Sequence, residues 1–409
     1  MKCKKLFAVA LTATMLISAV PVSADAKETL NFWFPTFASS DGEVTDVEFW
    51  EEVIAPWEEE NNCEVNVEII PWDNYEEKYL SGANSNNGPD IGYMYAEMFY
   101  DYIDNEQLVD IDEYFTEEEK QNYLYYSLGN HMGGQYGLPV VVGNPRILVA
   151  NMDILSEAGI DAVPATTEEF LAACQAVKEK TDYTPFLQDW GNSHYGVMGG
   201  IFWPFFWGNG GEIVDEEGNL TIDSEAGIQT VEFLKNLYNE GYLSETCTSC
   251  DDSIEPFRNG EVAMIYAPSS NIITVDNINW DFVAVVQGSA CAKTFVAADS
   301  LVLFESCENK ELAADLMKHI TSADVMSQFH TKVSQQPPIT ADDTYVGDAR
   351  FENLFTEYAD NFVSLPVFQA AASLYDYLFK NLQSMMLGEM EPADVLTDTT
   401  AYYNDNLKF

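Results

Sequence analysis

Basic residues are scarce in this chain: 18 lysines and arginines stand against 68 aspartates and glutamates, for a formal charge of −50. Such a potential repels nucleic acid phosphates and anionic lipid headgroups and excludes nucleic acid as a partner. Because the acids are spread along the whole chain, they read as a solvated exterior rather than as one cation-binding tail. Histidine is scarcer still. His131, His194, His319 and His330 are scattered without metal-ligand spacing, and each reads as a surface or satisfied core residue, so no metal site is expected. No apolar run reaches the roughly 20 residues that a membrane-spanning helix needs. Nucleophile elbow, HExxH, P-loop and dinucleotide fingerprint are all missing, and no cofactor is expected. There is no internal repeat and no low-complexity linker, which argues against domains strung on one flexible tether.

Cysteine is sparse, with 7 in 409 residues. Cys3 precedes the apolar run Leu6 to Val20, so it does not stand where the lipid-bearing cysteine of a lipoprotein follows that run. Lys2, Lys4 and Lys5 before the run, and small residues around Ala24 after it, predict a cleaved signal peptide over residues 1–24 and an exported protein. Cys63, Cys174, Cys247, Cys250, Cys291 and Cys307 remain, an even number compatible with disulfides outside the cell. Cys247-Thr248-Ser249-Cys250 reads as a loop disulfide or free thiols. It lacks the second pair or histidines of a zinc site and any thioredoxin-like context.

Aromatic residues, by contrast, are dense in Ile201 to Asp223. Trp203, Phe205, Phe206 and Trp207 crowd four rings into five positions, either as a binding platform or as core. Gly208 to Gly211 predict a turn, and Glu212 to Val214 with Leu220 to Asp223 predict a hairpin around Asp215–Asn219. Elsewhere strands and helices alternate. Glu28 to Phe34, Val65 to Ile70 and Ile91 to Tyr95 read as strands. Val47 to Glu60 shows the spacing of one helical face, with Pro56 expected to disturb its last turn. Thr166 to Glu169 looks like a cap for a helix through Val177. Helices are further expected at 224–242, 309–320, 351–361, 368–387 and 394–406, with Gly388 and Pro392 separating the last two. The alternation implies an α/β chain with largely parallel sheets and ligands outside the carboxyl ends of strands.

Several stretches, in this order, carry a resemblance. They are Gly88-Pro89-Asp90-Ile91 with Leu108-Val109-Asp110-Ile111; Tyr136-Gly137-Leu138-Pro139 with Asn151-Met152-Asp153; the aromatic–glycine–hairpin stretch; Phe257 to Met264; and Asn309 to Ala314. Through them the chain resembles the extracellular solute-binding proteins of carbohydrate ABC importers, the group with maltose-binding and glycerol-phosphate-binding types. The resemblance implies a two-lobe, periplasmic-binding-protein-like fold of type II, with an interlobe cleft and three hinge crossings. These are expected near Val141 to Arg146, near Thr294 to Ala298 and after Pro338. It places residues 25–142 plus 298–340 in lobe 1 and residues 143–297 plus 341–409 in lobe 2. It also implies a monomer that passes a carbohydrate ligand to the permease subunits of an ABC importer. Two departures stand out: the missing lipid-bearing cysteine, and Ser269-Ser270 where many relatives carry a Trp.

By matched position the resemblance brings Trp33, Trp72, Tyr95, Glu97 and Asp299 to the cleft from lobe 1. Asn144, Asp189, Trp190, Trp203, Trp207, Ser270 and Phe368 face it from lobe 2, and Gln335 from lobe 1. Sugars present apolar C–H faces ringed by hydroxyls, so flat rings bordered by acceptors and donors suit them. Core packing for the tryptophans, and a solvated surface for Glu97 and Asp189, are the alternative readings. Arg146 reads as a hinge residue rather than a phosphate anchor. Two other functions compete: a polyamine or other cation receptor using Glu97 and Asp189 with the rings as a cage, and a secreted glycoside hydrolase built on a carboxylate pair.

Overall fold

In the strand Glu28–Pro35 (β1), alternation decides which rings meet which helix. Phe32 and Phe34 turn toward Trp50, at ring-centroid distances of 5.5 and 4.8 Å, while Trp33 turns the opposite way onto Tyr79 at 5.3 Å. Both faces are thus covered by helices, as a strand with parallel neighbours on both sides requires, although the two main sheets as wholes are mixed rather than largely parallel as expected. The computed structural model describes residues 27–408 apart from 39–43, 73–74, 86, 193, 216–217, 335, 345–346, 348 and 352. The expected signal peptide at 1–24 lies outside the described residues, as do the side chains at 83–85, 270 and 356.

The other strands that build the molecule are β2 (Cys63–Ile70), β3 (Ile91–Met94), β4 (Leu138–Gly143), β5 (Arg146–Asn151), β6 (Thr184–Leu187), β7 (Val262–Pro268), β8 (Trp280–Val283), β9 (Thr294–Phe295), β10 (Ala297–Leu303) and β11 (Phe362–Val363). The first lobe holds the sheet β2-β1-β3-β10-β4, in which β1 pairs parallel with β2 and β3, and β10 returns antiparallel between β3 and β4. The second lobe holds β8-β5-β7-β6, with β5 antiparallel to both neighbours and β6 parallel to β7.

The longer helices are α1 (Asp46–Asn61), α2 (Tyr75–Ser85), α3 (Thr167–Lys180), α4 (Met198–Gly208), α5 (Glu225–Asn239), α6 (Lys310–Ile320), α7 (Ala323–Lys332), α8 (Ala371–Met386) and α9 (Pro392–Asn406). Local chemistry explains their ends. Thr45 and Glu48 form a reciprocal capping box, and Asn62 closes α1 in the left-handed region. Pro56 does not disturb the last turn as expected; α1 runs through it to Asn61. Thr166 caps α3 by accepting from the Glu169 amide at 3.1 Å. The single helix expected at 351–361 is instead a set of short turns, Ala349–Phe351, Leu354–Glu357 and Ala359–Asn361. Pro392 begins α9 rather than separating it from what precedes, since its missing N–H is no loss in a first turn.

The aromatic stretch folds as α4, every residue of which is buried. Gly199 and Gly200 let the helix sit close: a Cβ there would come within 2.9 Å of the Phe295 ring and 2.6 Å of Gln188 Oε1. The expected glycine turn ends it, with Gly210 at φ +83° and the Gly211 amide donating to Phe206 at 2.9 Å. The hairpin follows, Val214 bridging Leu220 and Thr221 donating to Ile213 at 2.9 Å. The six cysteines within the described residues are all free thiols, including Cys247 and Cys250.

Three crossings join the lobes. Gly143, Asn144 and Pro145 carry β4 into β5, with Asn144 at φ 53°. Val296 separates β9 from β10. In the third, Thr340 still bridges Tyr123 of the first lobe, whereas Phe351 packs on Trp280 and Phe282 of the second.

Candidate functional site

Between the two sheets lies a cavity of about 520 Å³. Its first-lobe wall is Trp72, Glu76, Tyr95 to Glu97 and Ala297 to Asp299; its second-lobe wall includes Arg146, Gln188, Asp189, Asn192, His194 to Val197, Gly200 and Tyr266. Strand ends supply most of these. Tyr95 to Glu97 follow the end of β3, and Gln188 and Asp189 follow the end of β6. Tyr266 stands near the end of β7, and Asp299 points in from β10 at a register shift between Asp299 and Ser300.

Trp72 is the exposed ring of the group, 44% accessible, held by its Nε1 donating to the Thr36 carbonyl at 2.8 Å and by contact with Tyr75. Tyr95 donates its hydroxyl to Glu76. Across the gap, Tyr195 donates to Glu97 at 3.2 Å and stacks on His194 at 4.5 Å. That hydrogen bond joins the two lobes directly. Arg146 donates to the Asn144 carbonyl at 2.8 Å and lies over the Phe295 ring at 5.4 Å.

Burial dominates the electrostatics. It pushes Asp299 up to about 7, although the Tyr93 hydroxyl, donating at 2.5 Å, works against it; the Glu97 charge adds to the rise. Burial also raises Glu97, opposed by its own backbone amide and by Tyr195. Asp189 is raised by burial and pulled back by its backbone amide and by Arg146, while burial lowers the Arg146 guanidinium to about 10 against the pull of Asp189. Gln188 and Tyr266 are 1% and 4% exposed, and Gln188 Oε1 and the Tyr266 hydroxyl find no hydrogen-bond partner among the described residues. Such groups are costly unless something enters the cleft to satisfy them.

Of the thirteen residues expected at the cleft, the structure brings together Trp72, Tyr95, Glu97, Asp189 and Asp299. It places six of the others elsewhere. Trp33 stands two residues short of the end of β1 and packs on Tyr79 in the core. Trp190 is buried edge-on against Phe379, its carbonyl accepting from Gln383 at 2.7 Å. Trp203 and Trp207 stack on each other inside the second lobe, Trp203 meeting Tyr375 edge-on at 5.5 Å. Phe368 packs between Tyr375 and Tyr403. Asn144 belongs to the first crossing rather than the cavity wall. Ser270 falls in the short helix Ser269–Ile272 with its side chain outside the described residues, and Gln335 lies outside them altogether.

Glu76, Gln188, Tyr195 and Tyr266 line the cleft without having been expected there. The strand-end rule covers Gln188 once β6 is recognised, but Thr184–Leu187 is too short to announce itself by alternation. Tyr195 sits in an irregular polar loop, where no periodicity marks it.

Comparison with known proteins agrees with this geometry. Residues 52–343 match the family model described as bacterial extracellular solute-binding protein. A Brucella abortus protein described only as a binding protein is 25% identical over 420 residues, covering 97% of this chain and 98% of its own. Among solved structures, the cyclic alpha-maltosyl-1,6-maltose binding protein from Arthrobacter globiformis superposes with a TM-score of 0.77 at 16% identity, covering 93% of this chain and 99% of that one. The sugar-binding protein MalE from Xanthomonas citri also gives a TM-score of 0.77, at 18% identity, covering 92% and 96%.

Proposed function

The chain belongs to the bacterial extracellular solute-binding proteins, and we propose that its interlobe cleft captures a sugar or oligosaccharide and hands it to the permease of an ABC importer. One observation carries the reading. A cavity of about 520 Å³ combines the ring faces of Trp72, Tyr95 and Tyr195 with the acceptors Glu97, Asp189 and Asp299 and the donor Arg146. Its size falls within the range of about 300–1,000 Å³ usual for small-molecule sites. Rings meet the apolar face of a pyranose while the edge groups bond its hydroxyls. The maltosyl and sugar ligands in the names of the two structural relatives support the same class.

In this reading residues 1–24 are a cleaved export signal, the lobes divide at the boundaries expected from the sequence, and the protein acts as a monomer. Closure is a hinge motion about the three crossings. The solute leaves unchanged. Calorimetric titration of the purified chain with mono- and oligosaccharides should give one-site binding, with the saccharide recovered intact. Turnover of a glycoside would sink the receptor reading, and failure of every saccharide beside tight binding of a polyamine would sink the sugar.

A further inference from the structure

Acids outnumber bases in the cleft wall, Glu76, Glu97, Asp189 and Asp299 against Arg146, but that four to one is close to the 68 to 18 of the whole chain. The number of acids therefore carries no information. Their burial and their pairing do. Asp189 has a partner in charge, since Arg146 is close enough to draw its titration down and Asp189 to draw that of Arg146 up. Among the described residues the first-lobe carboxylates have no such partner. Glu76 and Glu97 act on each other as like charges, and Glu97 acts in the same sense on Asp299. The donors they meet are neutral hydroxyls: Tyr95 on Glu76, Tyr195 on Glu97 and Tyr93 on Asp299. Of the described residues lining the cavity, His194 on the opposite wall is the one base besides Arg146, and it opposes the rise at Glu97 only weakly compared with burial.

Two further groups point to an occupant. Gln188 Oε1 and the Tyr266 hydroxyl are buried in the opposite wall without a hydrogen-bond partner among the described residues. Closing this cleft on a neutral sugar would desolvate three repelling carboxylates further, and one of them would have to take up a proton. A cationic amine seated among them would remove that penalty, and Trp72, Tyr95 and Tyr195 supply ring faces to flank it.

We propose that the solute of this cleft carries a protonated amine, seated against Glu97 and Asp299 on the first-lobe wall, with its carbon skeleton on the rings. The inference rests on the solute-receptor reading and narrows the solute to an amino sugar or an amine of comparable size. The shared chemistry is the ammonium group; the saccharide and polyamine sources differ only in what surrounds it.

Calorimetry on the whole exported chain tests this with three probes: glucosamine and its oligomers, the same sugars N-acetylated, and spermidine. Each is titrated at pH 7 in two buffers of different ionisation enthalpy. The amine-bearing form should bind at least about tenfold more tightly than its N-acetylated counterpart. Comparison of the two buffers should show proton release rather than uptake, because Asp299, pushed up to about 7 and so about half protonated at that pH, ionises against the ammonium. Glu97→Gln and Asp299→Asn should each erase most of that preference, and added salt should weaken the amine form alone. Equal or tighter binding of the N-acetylated or a neutral sugar, with proton uptake, overturns the amine and leaves the sugar-receptor reading standing. Binding of spermidine with no saccharide bound keeps the amine and overturns the sugar.

Discussion

Replacing Asp299 by Asn should make the protein more stable at neutral and alkaline pH, with a smaller gain in mild acid. Burial pushes this carboxyl up to about 7 from a usual 3.8, and the Glu97 charge adds to the rise. A carboxyl that binds its proton more tightly when folded contributes stability in acid, and that contribution is lost as pH rises through the folded value. Above pH 7 the ionised group therefore costs stability, which Asn does not. The full shift of about 3 units corresponds to roughly 4 kcal/mol at 1.36 kcal/mol per unit. Asp299 borders a cleft that water can enter, so about half of that, ~2 kcal/mol, is the sounder figure. Asn keeps an oxygen for the Tyr93 hydroxyl that now donates to Asp299 at 2.5 Å. With an unfolding entropy near 2.1 cal/mol/K per residue and about 380 residues, ~2 kcal/mol amounts to a rise of about 2–3 °C in Tm. Thermal unfolding of both proteins from pH 5 to pH 8.5 reads the difference directly. The comparison cancels the general effect of the chain's large negative charge. The advantage of Asn should grow between pH 5 and 7 and be flat above 8. A variant that is less stable at every pH, or a difference that does not change with pH, would refute the reasoning.

Trp203→Ala, in the core of α4, should cost about 3–5 kcal/mol in denaturant unfolding, and any loss of binding should track the unfolded fraction. Trp72→Ala should do the reverse: its ring is 44% exposed on the cleft wall, so stability should change by less than about 1 kcal/mol while saccharide affinity falls on the order of tenfold. Tyr195→Phe keeps the ring on His194 but removes the hydroxyl that reaches Glu97 at 3.2 Å. Losing that bond, worth about 0.5–1.5 kcal/mol, should shift the unliganded protein toward an open form with a larger radius of gyration in solution scattering.

Much of the fold was legible because its signals are local and repeated. The runs Glu28 to Phe34 and Val65 to Ile70 announced strands, and the Thr166-to-Glu169 cap and the helical spacing over 224–242 placed two helices to within a few residues. Elements without such a signal went unseen. β6 is four residues long, β8 is likewise four, and α7 carries Phe329 and His330 inward without a side-chain cap at its start. The part of the site that could be read follows the same logic. Trp72 stands next to a proline that ends β2, and Tyr95 and Glu97 follow β3, so a rule about strand ends reaches them. Tyr195 and Glu76 become cleft residues only because the fold brings a polar loop and a helix flank to the same opening.

The aromatic run shows why density was the wrong guide to a binding wall. A ring that lines a cleft keeps one face available to a solute, and its sequence neighbours must then be small or polar enough to live at a solvent boundary. Trp72 is followed by Asp73 and Asn74, Tyr95 by Ala96 and Glu97, and Tyr195 lies between His194 and Gly196. Four large rings within five positions have no such neighbours. On a helix they cover the whole circumference, and only burial on every side can satisfy them. α4 is accordingly buried throughout, with Phe202 stacked on Phe206 and Trp203 on Trp207 at successive turns. It still serves the site indirectly. Gly199 sits against Phe295 and Gly200 against Gln188, so the buried helix fixes two of the groups that line the cleft. A bulkier residue at Gly200 would press on Gln188 Oε1 at 2.6 Å and displace the wall without touching the solute. The rings fill the second lobe, and the faces left for a solute belong to isolated aromatics elsewhere.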